Sequence, residues 1–317
     1  MHLEGPQASR RITCQIPRCD QDAVAPVIPR VVRRPHQDVV LETGDLGTGH
    51  LEDRQVGAPG QRQLVHAADP TAALRHSWPM RRLGLLGGMS WESSVEYERH
   101  INRIVRDRLG AVASADLLIR SFNFADIEAY QEAGDWQGAA EVLAAAAQDL
   151  VTAGAQAIVI CTNTMHRVAD EVEAASGVPL IHIADATAAA VHRAGVDTVA
   201  LLGTRYTMEQ DFYVGRLRSH GLQVLIPDEP DRTVVHEVIY GELVRGVTSP
   251  DSKREYLRII DGLRDRGAHG VIAGCTEIEL LVGPEDVDIH FFPTTLIHAT
   301  AAAEFALGAI DKVAESR

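Results

Sequence analysis

One plan is written twice in this chain. "IVICTNTMH" (158–166) and "VIAGCTEIE" each carry a Cys-Thr pair at the end of a short apolar run. Each run follows a Gly-Ala pair, Gly154-Ala155 in the first case and Gly267-Ala268 in the second. "RRLGLLGG" (81–88) and "DTVALLGT" (197–204) open the two copies as apolar runs that reach a glycine turn. From Gly87 to Cys161 is 74 residues, and from Gly203 to Cys275 is 72. Short apolar runs bounded by glycines, alternating with amphipathic stretches, predict buried parallel strands joined by helices. The expected fold is α/β. Two similar βα lobes with mainly parallel sheets are related by a pseudo-twofold axis, with the active site in the cleft between them. Residues 80–194 form the first lobe, completed by about 292–317, and 195–291 form the second.

The elements between these landmarks follow the same order in each half. After "RRLGLLGG", Ser90 is placed to cap a helix whose Val95, Ile101, Ile104, Val105 and Leu109 suit one face. "ADLLIRSFNF" reads as a strand and "WQGAAEVLAAAAQDLVTAG" as an Ala-rich helix that stops at Gly154. "NTMHRVADEVEAASG" reads as a helix and "VPLIHI" as a strand. In the second half "MEQDFYVGRLRSHG" and "SKREYLRIIDGLRDRG" read as helices and "LQVLIP" as a strand.

Residues 1–79 differ from this body. They hold eight of the 14 prolines, nine arginines, nine acids, no lysine and one aromatic residue, Trp78. Such a segment has little with which to offset its ordering entropy, and is expected to be a disordered N-terminal extension, with Met80 as a candidate initiator. Cys14 and Cys19 lack a second ligand pair at zinc spacing. The net charge of −14 therefore sits after residue 79, and it argues against a nucleic-acid partner, whose phosphates need a basic surface. No apolar run is long enough to suggest a membrane span, and no signal peptide is visible. Four cysteines in so long a chain fit a cytoplasmic protein with reduced thiols.

Cys161 and Cys275 carry the chemistry in this reading. Each ends a strand just before a helix, where ligands of α/β sheets bind. A cysteine after an apolar run is commonly an inert buried thiol, but the matched Cys-Thr settings favour a functional pair. A helix start is expected to favour the thiolate. One thiolate and one thiol across a cleft can remove a proton from a carbon and return one to its opposite face, which is two-base racemisation. Thr162, Asn163, Thr164 and Thr276 supply donors for a carboxylate and for a developing enediolate. The glycines of "GLLGGMS" match neither GxGxxG nor GxxxxGK(S/T), and the histidines show no HExxH spacing.

"GLLGGMSWESSVEYERHIN", "CTNTMH", "LGTRYTMEQDFYVGRL" and "GCTEIELLV" resemble the aspartate/glutamate racemase family, nearest to its bacterial broad-specificity amino-acid branch. The resemblance covers roughly residues 80–310. It implies a cofactor-independent enzyme with neither pyridoxal phosphate nor metal, usually a homodimer, with an amino acid as its small-molecule substrate. It implies Cys161 and Cys275 as the catalytic pair. Substrate-carboxylate contacts would fall on Met89, Ser90, Asn163, Thr164 and Thr276. Glu277 would orient the second thiol, and Gln131 matches a side-chain-selecting position. Arg205 is a candidate cation for a distal carboxylate, or a surface arginine on a turn. Pro293 stands where relatives usually carry Asp, and Glu98 where a second Tyr is common. Other reactions on the same scaffold remain open: a maleate-type isomerase or a hydantoin racemase. So does a non-catalytic role, in amino-acid binding or thiol redox sensing. A disulfide would need the two Cα atoms within about 7 Å.

Overall fold

Seen in the computed structural model, which describes residues 80–110 and 112–308, the duplication extends to the backbone. The expectations for 1–79, for Cys14 and Cys19 and for residues 309–317 lie outside the described residues. In the first half β1 (Leu83–Gly87) is buried at every position. It leads to α1 (Trp91–Leu109), β2 (Leu117–Ser121), α2 (Phe124–Ala133), α3 (Trp136–Thr152), β3 (Ala157–Ile160), α4 (Ala169–Ser176) and α5 (Ile183–Arg193). The second half runs β4 (Thr198–Gly203), α6 (Arg205–Glu209), α7 (Asp211–Ser219), β5 (Gln223–Leu225), α8 (Asp231–Gly241), α9 (Pro250–Asp265), β6 (Gly270–Gly274), β7 (His290–Pro293) and α10 (Thr294–Ala306). Among the described residues no helix is long and apolar enough to cross a membrane.

Both sheets are parallel and share one strand order. The first is β2-β1-β3 and the second β5-β4-β6-β7. The fourth place in the first sheet, where "VPLIHI" predicts a strand, holds a single parallel bridge between Ile158 and Leu180. Ile158 N–H donates to Pro179 O at 3.0 Å and Ile181 N–H to Ile158 O at 3.0 Å. The run extends no further because Pro179 has no N–H to offer and His182 turns away to cap α5, its Nδ1 accepting from Ala184 N–H at 3.1 Å.

The approaches to the two cysteines are near copies. α3 and α9 both end in a Schellman arrangement. In one, Gly154 (φ 101°) donates to Val151 O and Ala155 to Leu150 O. In the other, Gly267 (φ 102°) donates to Arg264 O and Ala268 to Leu263 O. Glycine is required at both turns because φ is positive. At the far end of the sheets Gly203 and Gly274 lie side by side, and a Cβ on Gly203 would sit 2.8 Å from Gly274 O. The side-by-side strands therefore deliver Cys275 next to the glycine turn, as Cys161 is delivered next to Leu86, whose carbonyl accepts from its N–H at 2.9 Å.

The core is divided by lobe, but two helices cross. Leu83, Leu85, Tyr97, Ile101, Ala157, Val159 and Cys161 pack with Ala299, Ala302, Ala303 and Ala306 of α10. In return Ile183, Ala184, Ala188 and Val191 of α5 pack with Val199, Leu201 and Ile272 of the second lobe. Each half therefore lends its last helix to the other. Chain order alone places α5 with the first lobe; its buried face belongs to the second. On α1 the buried stripe is Ser93, Tyr97, Ile101 and Val105, at i, i+4 spacing, while Val95, expected to be buried, is 49% exposed. Ser93 belongs to the stripe because its hydroxyl reaches Glu277 on the other lobe.

Candidate active site

The mouths of the two sheets meet around a cavity lined by Met89, Phe124, Gln131, Thr162, Thr164, Thr204, Ile239, Tyr240, Val244, Cys275 and Glu277. Its volume is about 20 Å³, room for a water molecule but not for an amino acid. The two lobes are tied across it. Thr164 Oγ1 and Thr204 Oγ1 lie 3.1 Å apart, and Ser90 Oγ on the first lobe donates to Glu277 Oε1 on the second at 2.5 Å.

Glu277 is the hub. Its carboxylate is 4% exposed and accepts from Ser90, from Ser93 Oγ at 2.8 Å, from Thr276 Oγ1 at 2.7 Å and from the Cys275 thiol at 3.0 Å. The Ser93 and Thr276 oxygens also meet, and with one proton each, whichever hydroxyl turns to the other releases its bond to Glu277. A buried charge needs this many donors to be held at all. Burial first, and then the facing Glu277 carboxylate, push the Cys275 thiol well up.

Cys161 is wholly buried, and its thiol points to Val159 O at 3.8 Å. Burial pushes it up as well. The expectation that helix starts acidify both thiols is corrected here. Each cysteine is followed by a 3-10 turn, Thr164–Val168 or Thr276–Leu280, not by an α-helix, and desolvation outweighs the small dipole of one turn. Both cysteines are free thiols.

Beneath Cys161 lies a cluster of buried histidines. His166 Nδ1 donates to Thr162 O at 2.7 Å, because its Nε2 already accepts from Ile183 N–H at 3.2 Å. His298 Nε2 donates to Ile181 O at 2.5 Å, so its Nδ1 accepts from Tyr97 Oη at 2.8 Å. The His166 ring contacts those of His182 and His298 edge-on. Burial keeps all three neutral: His298 falls to about 4, His182 to about 3, and His166 well below the usual range. The cluster holds the Cys161-Thr162 loop through its carbonyl. Among the described residues no group of His, Cys, Asp and Glu is placed to hold a metal ion.

The remaining expected site residues divide into two groups. Met89, Gln131, Thr162 and Thr164 line the cavity. Gln131 is held by Tyr240 Oη, which donates to its Oε1 at 3.1 Å, and by its own amide, which donates to Met165 Sδ at 3.2 Å. Asn163 Nδ2 donates to Thr294 Oγ1 at 3.1 Å, whose own proton goes to Ala273 O at 2.6 Å. That fixes the amide and leaves Asn163 Oδ1 buried without a partner. Pro293, beside Thr294, sits on an edge strand that tolerates it. Ser90 and Thr276 face Glu277, and Thr276 opens onto a second cavity behind it. Arg205 lies outside the cavity: its side chain is 46% exposed, donates to Thr233 Oγ1 at 3.1 Å and faces Glu209 at 3.9 Å.

Ser93, Thr204 and Tyr240 are the site residues that sequence reasoning misses. Ser93 had a signal, since it lies one helical turn after Ser90. Thr204 had one too, as the residue after the second glycine turn. Tyr240 had none: it sits in a helix without a motif and reaches the site only because the second lobe folds α8 over it.

A family model described as Asp/Glu/hydantoin racemase matches residues 86–303. A proposed Asp/Glu racemase from Yersinia pestis is 53% identical, over 72% of this chain and all of that one, with a TM-score of 0.69. An aspartate racemase homologue from Pyrococcus horikoshii is 34% identical, over 72% of this chain and 99% of that one, with a TM-score of 0.64. An aspartate racemase from Picrophilus torridus, 20% identical over 72% of this chain and 94% of that one, shares the fold at a TM-score of 0.58.

Proposed function

Because the chain belongs to the Asp/Glu/hydantoin racemase family, we propose that it racemises an amino acid with Cys161 and Cys275 as the two bases. One observation carries this reading. The two thiols end equivalent strands of two equivalent lobes, and one of them donates to a buried carboxylate. The substrate ammonium fits Asn163 Oδ1, the buried acceptor without a partner, and the substrate carboxylate fits the Thr162, Thr164 and Thr204 hydroxyls. These hydroxyls then stabilise the enediolate. Gln131, Tyr240 and the apolar residues of the cavity surround the side chain. A 20 Å³ cavity requires the lobes to part for entry.

Both thiols rest neutral, so a base has to be made. The Cys275 proton passes to Glu277 Oε2, and the ammonium of the bound substrate offsets the thiolate charge. The thiolate takes the Cα proton, an S–H bond forms, and the Cα electrons delocalise into the carboxylate. Cys161 then gives its proton to the opposite face of Cα. In the reverse direction Cys161 is the base and Cys275 the acid.

The test is incubation of single enantiomers, across a panel of amino acids, in D2O with chiral chromatography and mass analysis. The mirror product with one deuterium at Cα is expected; absence of both with every amino acid overturns the proposal. Glu277→Gln keeps an oxygen for Ser90 and Ser93 but removes the base. It is expected to lower kcat about 100-fold, with KM within threefold, by the same assay.

A further inference from the structure

Behind Glu277, away from the thiols, lies a second cavity of about 470 Å³. Ser93, Thr276, Glu277 and Glu279 form its inner wall, and its rim is open to solvent, with Trp91 65% and Leu280 49% exposed. Glu277 therefore lines both cavities, one oxygen on the Cys275 thiol and the other on Ser93 and Ser90. A hydrogen-bonded chain runs from Cys275 Sγ through Glu277 to the Ser93 and Thr276 hydroxyls at the wall of a space roomy and polar enough for ordered water. Among the described residues no carboxylate bonds the Cys161 thiol.

We propose that this rear cavity is the proton port of Cys275: Glu277, Ser93 and Thr276 pass the thiol proton to Glu279, which exchanges it with bulk water. The inference rests on the two-base reading, which creates the need for it. Each turnover leaves the enzyme out of its resting state: Glu277 holds the proton that Cys275 gave up, Cys275 has regained one from Cα, and Cys161 has lost its own. Before the same enantiomer can react again, the proton held on Glu277 must leave, so that the S–H bond of Cys275 can break toward it once more. Glu277 gives it to a hydroxyl that hands its own proton on, through water in the cavity, to Glu279, which releases one to bulk water; Cys161 takes one up, so no net charge builds up. Cys161, which lines neither cavity, regains its proton when the lobes part for product to leave.

Glu279 is suited to the exchange. Thr295 N–H fixes its Oε1 at 2.9 Å, and burial together with the Glu277 and Glu96 charges raises its pKa to about 7. The groups facing it from α1 are Glu92, Glu96, Tyr97, Arg99 and His100, with Arg99 and His100 both turned to Glu96. Glu92 Oε2 is buried there without a partner. Glu279 acts through Glu277 and touches no substrate.

The experiment measures the racemisation of both enantiomers by wild type and Glu279→Gln over a wide substrate range, from pH 5.5 to 9, with and without 100 mM imidazole. Proton return limits turnover only when substrate saturates. The variant is expected to lose about tenfold in kcat, keep kcat/KM within twofold, and lose any inflection of kcat near pH 7. Imidazole, small enough for the rear cavity, is expected to restore at least half of the lost kcat. An unchanged kcat, or a parallel fall of kcat and kcat/KM that imidazole does not relieve, overturns the port. Absence of turnover in wild type would instead overturn the racemase reading beneath it.

Discussion

Replacing either thiol by a hydroxyl, in Cys161→Ser or Cys275→Ser, is expected to lower racemisation about 1,000-fold. Serine is nearly the same size but far less acidic, and general acid–base groups commonly contribute factors of this order. The two variants are expected to fail differently. Cys161→Ser keeps the Cys275–Glu277 pair, so it still exchanges the Cα hydrogen of one enantiomer for deuterium without inverting it. Cys275→Ser keeps the other base and exchanges the other enantiomer. Chiral separation followed by mass analysis in D2O reads both effects in one experiment. Full turnover in both variants would sink the two-base mechanism. Exchange of the same enantiomer by both would show that the thiols do not occupy opposite faces.

The second large effect is on stability and comes from the buried histidines. His166, His182 and His298 are neutral in the folded chain, with pKa values pulled far below the ordinary 6.5. The unfolded chain therefore takes up protons first as pH falls. Stability is full above 6.5 and is lost progressively below it, down to the folded values of about 3 for His182 and about 4 for His298. Glu279 works the other way: its folded value of about 7 lies above 4.5, so the folded chain binds that proton first and gains stability as pH falls through this window. Three histidines against one carboxyl leave a net loss of roughly 3–4 kcal/mol between pH 7 and pH 5, since each fully expressed unit is about 1.4 kcal/mol. Asp185, lowered to about 2, adds its loss only below that window. Urea midpoints at pH 7 and pH 5 measure the difference. His182→Asn keeps a capping acceptor for Ala184 N–H and is expected to cut the loss by about half. An equal pH dependence in variant and wild type would show that the cluster is not its source.

The two cysteines were legible as a matched pair because duplication turns spacing into geometry. Nearly equal distances, 74 residues from Gly87 to Cys161 and 72 from Gly203 to Cys275, meant equivalent strands; one brings Cys275 to the cavity wall, while Cys161 stays buried outside its lining. Gly154 and Gly267 were legible for the same reason, as stops before those strands. Protonation was not. The helix-start rule favours a thiolate, but the burial that opposes it depends on neighbours far away in the chain, such as Tyr97 and α10 around Cys161. Glu277 was visible as a neighbour of Cys275, whereas its partners Ser90 and Ser93 lie on the other lobe, 187 and 184 residues away. Arg205 was legible only as a turn residue, which can point either way; its side chain bonds Thr233 on α8. The "VPLIHI" strand failed locally, where the capping demand of α5 on His182 outweighed β-propensity.

The exchange of α5 and α10 has a bearing on how the chain is made. Synthesis runs from the N-terminus, and domains of most proteins fold as they emerge. Here the first lobe cannot close as it emerges, because four alanines of its core, Ala299, Ala302, Ala303 and Ala306, follow the whole second sheet in chain order. The second lobe, by contrast, finds α5 already waiting when β4 appears. The half that is synthesised later is therefore the one that can finish first, and the nascent first lobe must keep its open face from aggregating until α10 arrives.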